Sequence, residues 1–127
     1  MATKQKRPIF LDLWRIRFPV TAITSILHRI SGVILFLSIP FLIQLLAMSL
    51  ADETAYDRAV ELLDHLWVDL FLWIALWSLL HHLMSGIRFL FIDIDVGVEK
   101  NEARRSAFIV NIAAAVLAVV IGLVVLL

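Results

Sequence analysis

The stretch WSLLHHLMSGIRFLFID, residues 77–93, sets two histidines and an arginine inside an apolar run that extends from about Leu66 to Ile92. A run of that length crosses a bilayer, which takes about 20 apolar residues. Asp69 and Arg88 bracket its centre 19 residues apart, roughly 29 Å along a helix and close to the hydrocarbon thickness. His81 and His82 then lie roughly 9–10 Å inside the Arg88 edge. A histidine at that depth is costly unless it is bonded to something, which makes it a functional candidate. Neutral imidazole is a good iron ligand, and a membrane-buried haem b needs one. An interhelical hydrogen bond fits the position as well.

The rest of the chain supports a membrane reading. Of its 127 residues 62% are hydrophobic, more apolar surface than a soluble domain of this length can hide. Eleven basic residues balance eleven acidic ones, and no basic run is interleaved with aromatics, so nucleic acid is not an expected partner. The absence of cysteine excludes disulfides and thiolate ligation within this chain. The opening MATKQKRPIFLDLWRIRFP has no short apolar core with a cleavage site and does not read as a signal peptide.

An all-α membrane protein is expected, one domain over residues 1–127 with three transmembrane helices at about 22–50, 64–92 and 105–127. Pro40 lies inside the first and predicts a kink, tolerable in a membrane helix. IFLDLWRIRF, ahead of the first span, suits an N-terminal interfacial segment in contact with lipid, or equally a solvated arm. From Ala107 to Leu127 the third span carries only Asn111 as a polar residue and reads as a packing or lipid-facing helix with little chemistry. Lys and Arg number six over residues 1–29, one over 51–65 and four over 88–105. The N-terminus and second loop are therefore expected in the cytoplasm, and the C-terminus across the membrane.

The two histidines differ in the face they occupy. Gly86, four residues after His82, lies only about 40° from it around the helix, but about 140° from His81. A glycine one turn from an axial ligand leaves room for a flat macrocycle, so His82 is the expected iron ligand. His81 aligns instead with Arg88 and is expected to pack or bond to another helix. The acidic loop holds His65 and the third span holds no histidine, so no second imidazole is expected at His82's depth on another helix. A second axial ligand would come from a partner chain.

The first span opens with TSILHRISGV, residues 24–33. Ser25, His28, Arg29 and Gly32 fall within about 100° of one another. At the same membrane edge as Arg88, Arg29 and His28 suit the propionates of a haem held by His82, since a guanidinium fork matches a carboxylate. Ser25 and Arg29 could bond a quinone carbonyl. Arg29 could equally snorkel to the interface.

RPIFLDLWRIRFPVTAITSILHRISGV and HHLMSGIRFLFID closely resemble the cytochrome b membrane-anchor subunit of bacterial succinate dehydrogenase. The shared pattern is Arg7-Pro8, the run Ser25 to Gly32, and His82 with Gly86-Ile87-Arg88 followed by Asp93. The resemblance implies a bacterial inner-membrane subunit that pairs with a second small three-helix anchor and shares haem b with it. It implies an iron–sulfur subunit and a flavoprotein subunit on the cytoplasmic face, and ubiquinone as electron acceptor. By the same carry-over His82 is the haem iron's axial ligand, Ser25 and Arg29 line the quinone pocket, and His28 and Arg29 lie near the propionates. Asp93 matches an acidic position that would serve a proton path. Close relatives often carry a histidine where this chain has Phe89, so no role of that histidine transfers. A haem-free structural anchor and operation as a fumarate reductase are the alternatives. A small proton-coupled transporter built on Arg29, His82 and Asp69 is disfavoured, because no repeat or pair of broken helices is visible.

Overall fold

The computed structural model describes residues 16–125. It is all-helical, with α1 over Val20–Ala51, α2 over Glu53–Leu63, α3 over Leu66–Asp93 and α4 over Lys100–Val125. The three long helices are apolar enough to cross a membrane, and the chain is a multi-pass membrane protein. Three such helices were expected; α4 starts at Lys100, ahead of the expected 105. α1 begins directly after Pro19, whose extended backbone and missing N–H suit a helix start. It continues through Pro40 as one helix. The interfacial segment expected ahead of it lies largely outside the described residues.

The three spans form a bundle in which α3 packs against both α1 and α4, and α1 also touches α4. Its interior is made of small and polar residues. The buried positions of α1 are Thr24, Ser31 and Ser38, seven residues apart. Those of α4 are Ala107, Val110, Ala114, Ala118 and Gly122, and α3 contributes Ala75, Ser78, His81, Ser85 and Arg88. Small side chains let membrane helices approach closely where lipid gives no hydrophobic drive to pack, and a seven-residue repeat keeps one seam facing its neighbour. Trp73 lies over Gly122, where a Cβ would come within 2.8 Å of the indole. The large apolar side chains, such as Phe36, Leu37 and Val124, point outward, as lipid contact requires.

Residues 51–65, read from the sequence as an acidic loop, contain the short amphipathic helix α2. Asp52 caps it by accepting a hydrogen bond from Ala55 N at 2.8 Å, and Ala59 is its buried residue. At the opposite end α3 and α4 are joined by a tight turn with Asp95 at φ 62° and Gly97 at φ 74°. The second of these is an easy conformation only for glycine.

Candidate functional site

Near the end where α1 begins and α3 finishes, the two helices meet through their histidines. His82 Nδ1 lies 3.0 Å from the backbone carbonyl of His28. A carbonyl oxygen only accepts, so Nδ1 carries the proton and Nε2 keeps its lone pair free. Ser31 donates to the same carbonyl at 2.9 Å. A ligating histidine commonly has its other nitrogen held by a backbone carbonyl in this way.

Gly32 makes this approach feasible. A Cβ there would stand 2.9 Å from His82 Cε1 and 3.3 Å from Nδ1, so the imidazole occupies the space a side chain would fill. Gly86, chosen from the sequence as the glycine clearing room beside His82, instead faces His28, with a Cβ position 3.6 Å from Nε2. The helix-wheel angle placed Gly86 on the correct side of α3, but what fills that side is a ring from α1.

His28 also corrects the expectation that no second imidazole shares His82's depth. Its ring stacks on His82 with centroids 4.1 Å apart and planes within 8°. The two rings lie face to face, so they do not oppose each other across a metal. Phe89 packs edge-on against His28 at 5.2 Å.

An open cleft of about 410 Å³ adjoins these rings, lined by His28, Arg29, Gly32, Val33, Phe36 and His82. It joins the candidate ligand, a cation and an apolar wall in one place. Arg29 is exposed at its edge, whereas Ser25, one turn earlier, is half-buried and outside the lining. Asp93 ends α3 and is exposed.

His81 points the other way. It is fully buried, with Nε2 3.0 Å from Asn111 Oδ1 on α4 and Nδ1 3.4 Å from Ser85 Oγ. Thr24 of α1 reaches the same Asn111 oxygen at 3.2 Å. The structure thus separates the histidine doublet: one ring bonded on both nitrogens inside the bundle, the other with a free nitrogen beside a cleft. Arg88, read as an edge marker, turns inward as well and donates to Ser106 Oγ and to the Ala103 carbonyl, each at 2.9 Å. Asn111 was passed over in the sequence. Its signal was there, as the one polar residue between Ala107 and Leu127. Among the described residues no cluster of three or more His, Asp or Glu could hold a bare metal ion.

Residues 3–122 match the family described as succinate dehydrogenase/fumarate reductase transmembrane subunit. The chain is 43% identical over 117 residues to the succinate dehydrogenase cytochrome b556 subunit of Coxiella burnetii, covering 89% of this chain and 94% of that one. It is 32% identical over 114 residues to the subunit of the same description from Paracoccus denitrificans, covering 89% and 87%.

Proposed function

The chain belongs to the succinate dehydrogenase/fumarate reductase transmembrane subunit family, and from that premise we propose that it anchors such a complex in the membrane while building one side of a haem b and quinone site. The reading rests on the His82 imidazole, whose Nδ1–H is held by the His28 carbonyl, leaving Nε2 as the nitrogen able to take an iron. Both relatives are cytochrome b556 subunits, which agrees with that donor set. Haem b, when bound, supplies a one-electron relay between donor and quinone.

This chain's residues supply placement and charge. Gly32 admits the imidazole, and the His28 carbonyl fixes its tautomer and direction. Arg29, at the cleft edge, would hold propionate carboxylates through its planar fork. Arg29 and Ser25 bond a quinone carbonyl and stabilise the negative charge that develops as the quinone is reduced. His28, stacked on His82, walls the same cleft, and Asp93 accepts or delivers protons at the membrane surface.

Because His28 stacks on His82, His82 is the one imidazole of this chain that would hold the iron, and a sister anchor subunit would supply the other ligand. No dinucleotide fingerprint or dicarboxylate site is present in the sequence, so succinate oxidation belongs to a flavoprotein subunit and electrons arrive through an iron–sulfur subunit. The excess of Lys and Arg over residues 1–29 and 88–105 supports an orientation with that end in the cytoplasm of a bacterial inner membrane. Affinity purification of the tagged chain from native membranes, with mass identification of its partners and a reduced-minus-oxidised spectrum, tests this. A b-type signal with flavoprotein, iron–sulfur and second anchor chains is expected; a complex without that signal would remove haem from the account.

A further inference from the structure

His81 and His82 are sequence neighbours, yet only His82 lines the cleft, while His81 is fully buried. A rotation of α3 by about 100°, one residue's step, would exchange them. What opposes that rotation is a polar chain linking all three spans. His81 Nε2 meets Asn111 Oδ1 at 3.0 Å, Thr24 meets the same oxygen at 3.2 Å, and Ser85 Oγ lies 3.4 Å from His81 Nδ1. Nε2 is the nitrogen His81 would need for a metal, and because the amide oxygen only accepts, Nε2 carries the proton in this bond and has no lone pair to offer. Seven residues on, along the same face of α3, Arg88 is bonded to Ser106 and to the Ala103 carbonyl. α3 is therefore held to α4 at two points along one face.

We propose that Asn111 selects the iron ligand of the doublet. By occupying His81 Nε2 and tying α1, α3 and α4 together, it withdraws His81 from the cleft and leaves His82 as the imidazole presented. Asn111 is thus a positioning residue, acting through the orientation of α3. The inference rests on the proposed role of His82 as haem ligand.

Four variants of the purified complex test it: Asn111→Leu, His81→Phe, Asn111→Leu combined with His81→Phe, and His82→Ala. The readouts are the low-spin haem EPR signal and the rate of haem loss in detergent. Asn111→Leu leaves His81 without its partner and is expected to show a second low-spin signal. Haem loss should be about tenfold faster, the factor that one orphaned buried donor produces. Adding His81→Phe removes the competing imidazole and restores a single signal. An unchanged signal in Asn111→Leu would overturn the proposal, as would a double variant no better than Asn111→Leu, since Asn111 would then serve packing alone. Asn111→Ala replaces the leucine variant if that one does not assemble. If neither assembles while His82→Ala does, Asn111 is a folding residue and the selection claim is lost. Wild-type haem in His82→Ala would instead overturn the ligand reading beneath it, separately from the role of Asn111.

Discussion

Gly32→Ala adds one methyl group where the structure has least room for it. The new Cβ would lie 2.9 Å from His82 Cε1, whereas carbon atoms rest about 3.5–4.0 Å apart. The ring must therefore retreat by roughly 0.6–1 Å. Gly32 and the His28 carbonyl are both on α1, so withdrawing from one also withdraws from the other. The 3.0 Å bond at Nδ1 then stretches beyond about 3.5 Å and is lost. Losing it costs about 1 kcal/mol net, and the residual overpacking about 1–3 kcal/mol. Alanine's better helix propensity returns about 1 kcal/mol to the fold. The balance is about 2 kcal/mol against the packing that seats His82, which corresponds to roughly thirtyfold in haem retention. Haem per complex from the reduced-minus-oxidised spectrum, followed during detergent dilution, measures it. Gly86→Ala is the control, because its Cβ would meet His28 Nε2 at an ordinary 3.6 Å. Wild-type haem retention in Gly32→Ala, or a greater loss in Gly86→Ala, would refute the reasoning.

Other expected outcomes follow from single contacts. Arg29→Ala and Ser25→Ala should each slow quinone reduction about tenfold, the effect of losing one hydrogen bond of about 1.4 kcal/mol, while succinate oxidation by artificial acceptors is largely kept; steady-state assays with both acceptor types check this, and unchanged quinone kinetics would remove both residues from the site. Ser106→Ala deprives Arg88 Nε of its partner and should destabilise the bundle by about 1–3 kcal/mol, read as a lower midpoint of thermal unfolding in detergent. Ser78→Ala should hold or slightly raise that midpoint, because Ser78 Oγ is buried without a hydrogen-bond partner among the described residues, and removing an unsatisfied hydroxyl costs nothing.

The three spans were legible because lipid imposes a simple requirement, an apolar stretch long enough to cross. The short acidic segment was harder. Five carboxylates over residues 51–65 read as a solvated loop, and the cue to α2 was local: Asp52 placed three residues before Ala55, whose N–H it caps. At the site, helix periodicity separated His82 from His81 correctly as to side, because that depends only on the 100° step within one helix. It could not find Asn111 as the partner of His81 or Gly32 as the opening for His82, since those depend on the register of one helix against another. His28 was misjudged in depth for the same reason. Counting residues from each helix end fixes a level only once both helices have been aligned, and here α1 and α3 align ring on ring.

The most direct measurement compares His82→Ala with His81→Phe in the purified complex by reduced-minus-oxidised spectroscopy. The b-type signal should vanish in His82→Ala, whose free Nε2 is gone, and persist in His81→Phe, whose ring was bonded within the bundle. A normal signal in His82→Ala with loss in His81→Phe would contradict the account.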